Sequence, residues 1–173
     1  NNNYLCGICK CADMAGMAFV DVTTGSLYAT EISCNRADVI SELSRYNPRE
    51  IICNREFIEN ASLVSFISER LGCSAEAEKD EIFLPDEAKH RIYEQFGNKA
   101  DQLPEEGFEN AINAVGAILA YLSKTQMCEL PQIKEIEFYT AEQYMDIDFS
   151  SKRNLEVTAT MREGKRRGSL LWV

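Results

Sequence analysis

The sequence has 173 residues, 45% hydrophobic and 27% charged, with 28 acidic against 18 basic side chains for a net charge of −10. That length suits one ordinary domain plus part of another, and no apolar run approaches the roughly 20 residues of a membrane span. The charge is −7 over residues 1–103, −7 over 104–150 and +4 over 151–173, so the first 150 residues lack the cationic contacts with which proteins grip nucleic-acid phosphates.

Residues 4–11, "YLCGICKC", predict a first strand, and "ADMAG" a turn. Met17, Phe19, Val20 and Val22 predict a second strand, "TTG" at 23–25 a hairpin turn with glycine supplying the positive φ, and Leu27, Tyr28 and Ile32 the return strand. Asn35 predicts an N-cap, with Asp38 in the first turn of a helix striped by Val39, Ile40 and Leu43 and ended by Pro48. "EIICN" is a short buried strand. One helix is expected over about 55–71, striped by Phe57, Ile58, Ala61, Val64, Ile67 and Leu71 and stopped by Gly72. "CSAEAEKD" predicts a weak edge strand and "LPDEAKHRIYEQFG" a helix ending at Gly97.

The polar "NKADQLPEE", residues 98–106, predicts a linker that hinges between two folded parts. After it, Phe108, Ile112, Val115, Ile118, Leu119 and Leu122 stripe the longest helical stretch of the chain. "ELPQIKEIEFYTAEQYMDID" predicts an extended segment, and Ser150 or Ser151 caps a final helix carrying Leu155, Thr158 and Met161. No basic-then-apolar segment opens the chain, so a cytoplasmic location is expected. The chain starts at Asn1 and stops on the apolar "GSLLWV", which leads us to expect a piece of a longer protein.

The seven cysteines, 6, 9, 11, 34, 53, 73 and 128, form no regular framework. On a strand, Cys6 and Ile8 face one way and Cys9 and Cys11 the other, so they do not assemble the four ligands of a structural zinc site. A Cys-x-x-Cys redox motif works at a helix N-terminus, which this stretch is not. Reduced thiols filling a core are expected.

Three antiparallel strands followed by alternating helices and strands predict an α/β fold similar to ribonuclease H, followed by a mainly helical segment. A two-metal nuclease needs carboxylates converging on Mg²⁺, and neither the first strand nor "IIC" carries one inside it. The alternative function is a metal-dependent nuclease built on the unorthodox acids Asp13, Asp21 and Asp38.

"NNNYLCGI", "MAFVDVTTGSLYATE", "NPREII" and "EQFG" resemble the connector domain of the MutS family of DNA mismatch-recognition ATPases. "AVGAILAYLSKTQMCELPQIKEIEF", "SSKRNLEVT" and "GSLLWV" resemble the start of that family's core, or lever, domain. The resemblance is collinear over essentially the whole chain. It implies a connector over 1–103, ribonuclease H-like without catalytic acids, and the beginning of a helical lever over 104–173. Such a module links mismatch recognition to the ATPase and offers a surface to the partner MutL. Phe57-Ile58-Glu59 matches the letters of the family's mismatch-reading Phe-x-Glu motif, but the pattern places it mid-helix, and there is no Gly-x-x-x-x-Gly-Lys-Ser/Thr loop for ATP. The resemblance therefore implies no catalytic, metal or cofactor residues in this fragment. ATP, Mg and contact with mismatched DNA belong to the parent protein, which is expected to be a homodimer. The expected partner contact is Lys89, His90 and Arg91, which project from the helix of residues 86–96 while Ala88, Ile92 and Phe96 form its buried face.

Overall fold

The computed structural model describes residues 3–141. β1 (Tyr4–Cys11) buries six successive residues, which requires cover on both faces. It pairs antiparallel with β2 (Met14–Asp21), which pairs antiparallel with β3 (Leu27–Ser33). On its other side β1 pairs parallel with β4 (Glu50–Cys53), and β4 with β5 (Ala75–Ala77). β6 (Ile136–Phe138) adds in parallel to β3. The sheet is mixed, in the order β5-β4-β1-β2-β3-β6. The meander follows the sequence pattern, except that the first turn is tighter than "ADMAG" suggests. Only Ala12, at φ 57, and Asp13 turn the chain, and Ala15 and Gly16 are already paired with Lys10 and Cys9.

Asn35 caps α1 (Arg36–Tyr46) as expected, its side chain accepting from the Asp38 amide. The helix ends one residue before Pro48, on Asn47 in the left-handed conformation. The single helix expected over 55–71 is instead two, α2 (Arg55–Ile58) and α3 (Ala61–Leu71). Asn60 breaks it, because its side chain accepts from the Leu63 amide and starts a new helix. The buried set is then Phe57, Leu63 and Ile67, and Ala61 turns outward. Phe57-Ile58-Glu59 accordingly sits at a helix end rather than mid-helix.

α4 (Pro85–Phe96) and α5 (Glu109–Thr125) cover one face of the sheet, and α1 and α3 cover the other. The expected boundary at 103/104 lies in the connection between α4 and α5, two helices that pack against each other. Residues 111–120 of α5 are all buried, between the sheet and α4, and β6 extends the same sheet. The expected hinge over 98–106 begins in a 3-10 turn, Gly97–Gln102, and packs Ala100 and Leu103 against that core. Polar composition marked a surface connection here, and the connection returns the chain to the same sheet. The final helix expected after Ser150 lies outside the described residues.

Three glycines set how close α5 comes. A Cβ on Gly16 of β2 would lie 2.0 Å from the backbone of Asn110 and Ala111. One on Gly7 of β1 would lie 2.8 Å from Ile118, and one on Gly116 of α5 would lie 2.4 Å from the Ala88 Cα of α4. Such distances leave no space for a side chain, so sheet, α5 and α4 stack with backbone near backbone.

Candidate functional site

The sequence of α4 fixes which of its side chains reach solvent. Pro85 starts it, and Asp86 and Glu87 lie in the first turn, where negative charge suits the helix dipole. Ala88 and Ile92 are fully buried, and Ala88 fills the space beside Gly116. Lys89 and His90 are therefore exposed, and Arg91 is half-buried, as the helical spacing predicts. The structure adds partners for two of them. His90 Nε2 is 3.1 Å from Glu94 Oε2, and Arg91 Nη2 is 3.9 Å from Glu87 Oε1. The first is an ion pair only when His90 carries a proton, and exposed pairs of this kind contribute at most about 0.5 kcal/mol each. They make the run a mixed-charge surface with hydrogen-bonding groups of both kinds, rather than a bare cationic patch. Tyr93 stands on the same outer side and is 57% exposed. Its spacing of four from Lys89 and three from His90 is the sequence signal that places it there.

The alternative acids do not converge. Asp13 lies in the β1–β2 turn and Asp21 ends β2, so roughly 25 Å of strand separates them at about 3.3 Å per residue. Asp21 is buried and its Oδ1 accepts from the Thr23 amide at 2.9 Å, holding the hairpin turn. Asp38 Oδ2 accepts from Asn35 Nδ2 at 2.9 Å within the α1 cap. Among the described residues no group of three or more His, Cys, Asp or Glu side chains could hold a metal ion. Phe57, the aromatic of the Phe-x-Glu letters, is fully buried.

The cysteines divide as the strand alternation requires. Cys6 packs with α1 and α3, Cys9 packs with α5, and Cys11 is exposed. All seven are free thiols. Burial pushes the Cys9 and Cys53 thiols up to about 12, which keeps them protonated and unreactive. A shallow hollow of about 470 Å³ opens where β1, β4 and β5 begin, lined by Tyr4, Arg49, Glu50, Glu76 and Met127 among others. Its Glu50 already accepts from the Tyr121 hydroxyl at 2.5 Å.

Long-range polar contacts hold the elements around α4, and none was legible locally. α5 has no side-chain cap of its own. Glu31 of β3 supplies one, with Oε1 accepting from the Asn110 and Ala111 amides at 2.8 and 3.0 Å and Oε2 from Asn110 Nδ2 at 2.9 Å. Burial raises the Glu31 carboxyl and these donors lower it, with a net upward shift. A helix start lacking Ser, Thr, Asp or Asn was the one hint that an outside acceptor was needed.

The family model for MutS domain II matches residues 3–134, across the expected boundary at 103/104. The chain is similar to the DNA mismatch repair protein MutS of Lachnoclostridium phytofermentans, 39% identical over 173 residues that make up 99% of this chain and 18% of that protein. It is 38% identical over 174 residues to the protein of the same name from Ruminiclostridium cellulolyticum, covering 99% of this chain and 20% of that one. With that of Caldanaerobacter subterraneus subsp. tengcongensis the identity is 37% over 176 residues, 100% of this chain and 20% of the relative. The chain thus spans about a fifth of the length of these curated relatives.

Proposed function

We propose that this chain, which belongs to the MutS domain II family, works as a non-catalytic relay inside a longer mismatch repair protein and presents the outer face of α4 to the partner MutL. In this role it passes motion between the mismatch-reading part of the parent and its lever and ATPase parts. In this reading ATP, Mg and mismatched DNA act on the parent, a homodimer.

One observation carries the proposal. α4 is pinned from behind by the contact of Ala88 with Gly116, while Lys89, His90, Tyr93 and Glu94 stand exposed on its outer side. A rigid helix with mixed charges around an aromatic suits protein recognition, where charge orients the partner and an aromatic anchors it. The net charge of −7 over residues 1–103 argues against a DNA groove. The test replaces His90 and Arg91 by Glu in the full-length protein. ATPase activity and fold are expected to survive, since neither side chain fills the core, while MutL recruitment on mismatched DNA falls several-fold at physiological salt. Unchanged recruitment would reduce this face to a solvated one.

A further inference from the structure

Between α5 and the end of the described residues the chain runs as a strap along the β3 edge of the sheet, and side chains from both helical layers hold it. On the α4 side, Gln95 Nε2 donates to two strap carbonyls, Leu130 O at 2.6 Å and Ile133 O at 2.9 Å. On the α1 side, the Tyr139 hydroxyl donates to Oε1 of Glu42 at 2.7 Å, and both residues are buried. Between these tethers the strap pairs with β3 over only three residues. Thr30 Oγ1 then donates to Tyr139 O at 2.7 Å, and the Tyr139 amide donates to Ala29 O at 3.1 Å. The strap also plugs both cores, Ile133 on the α5 side and Tyr139 on the α1 side.

We propose that residues 128–139 dock and lift as one unit, a strap that ties the Gln95 side chain on α4 to the path by which the chain leaves the sheet. A three-residue parallel edge strand has little stability of its own, so the strap is held by its two tethers together with the buried Ile133 and Tyr139, and an opening that breaks one tether weakens the other. α5 is locked by its glycine contacts and stays in place when the strap lifts, which makes the lifted state a local opening. Gln95 is half-buried on α4, so a ligand that favours one strap position by engaging the Gln95 amide is itself favoured by that position, to the same degree. The value of that coupling to the parent rests on the relay role proposed above, but the strap itself can be tested without it.

The test is hydrogen exchange followed by mass spectrometry on the full-length protein containing this chain, comparing wild type with Gln95→Ala, Gln95→Glu and Tyr139→Phe. Each variant is expected to speed exchange about tenfold or more across the whole of 128–139, including the end of the strap its substitution does not touch, while amides 111–122 of α5 stay as slow as in wild type. Faster exchange confined to 130–134 for the Gln95 variants and to 138–140 for Tyr139→Phe would overturn the proposal, because the tethers would then be independent hydrogen bonds. Acceleration that includes α5, or none anywhere, would overturn it too. None of these outcomes depends on MutL, so the strap can fail while the relay stands, and the reverse.

Discussion

On the α5 side of the sheet, backbone meets backbone. Gly16 lies under the first turn of α5, Gly7 under Ile118, and Gly116 against Ala88. On the α1 side the contact is made by large side chains. Tyr46 stacks on Phe19 with ring centroids 3.9 Å apart, and Tyr4, Tyr28 and Tyr139 gather around it. That side also takes in a carboxylate, Glu42, which pairs with the Tyr139 hydroxyl and with Arg45. The two layers answer different needs. The first holds α4 at a fixed distance with no side chain to give way, while the second surrounds polar groups with closely packed aromatic rings. A protein that presents α4 to a partner and moves its chain exit would need the first to be stiff and the second to carry the tether.

The strongest way to break this comparison is to add volume under α5. Gly16→Val should cost more than about 3 kcal/mol, beyond ordinary overpacking, because the added atoms meet backbone at 2.0 Å; urea denaturation followed by circular dichroism measures it. Gly116→Ala is the sharper case, since helix propensity alone favours Ala by about 1 kcal/mol. The 2.4 Å approach to Ala88 should reverse the sign and destabilise by about 2 kcal/mol. Adding Ala88→Gly should recover part of the loss, a coupling that a double-mutant cycle detects. If Gly116→Ala stabilised the protein, the claim of a backbone-close α4–α5 contact would fail.

Removing polar groups should cost less. Glu31→Ala leaves the α5 start uncapped and should lower stability by about 1 kcal/mol. Glu42→Gln keeps an acceptor for the Tyr139 hydroxyl while weakening the contact with Arg45, so about 0.5–1 kcal/mol is expected. A loss above that of Gly116→Ala would show that the α1 side is the stiffer layer. The gentlest probe is thiol labelling at pH 8. Cys11 should react first, and Cys9 and Cys53, with thiols near 12, only as the protein unfolds.

Much of the fold could be read locally. Alternation gave the meander, Asn35 its cap, and the Ala88–Ile92 spacing the inward side of α4, which in turn exposed Lys89 and His90. The local pattern was ambiguous where one signal had two meanings. Asn60 inside an apolar stripe looked like a tolerated helix residue but starts a second helix. "NKADQLPEE" carries two meanings as well, since a polar stretch with proline serves equally as a domain boundary and as a short surface connection between packed helices. The signal against a boundary was present in "AINAVGAILA", residues 111–120, which carries no charge on any side, as a helix covered all round requires. Glu31, Gln95 and Tyr139 were not legible at all, since each acts on a residue at least 35 positions away.

That α5 covers one face of the sheet and holds the α4 surface in place is tested most directly by cutting the chain. Residues 1–103 and residues 1–141 would be expressed separately and compared by amide NMR dispersion and urea unfolding. The account predicts a cooperative, dispersed fold for 1–141 and none for 1–103, whose β1, β2 and α4 would have lost their common packing partner. A cooperatively folded 1–103 would contradict it and restore the boundary at 103/104.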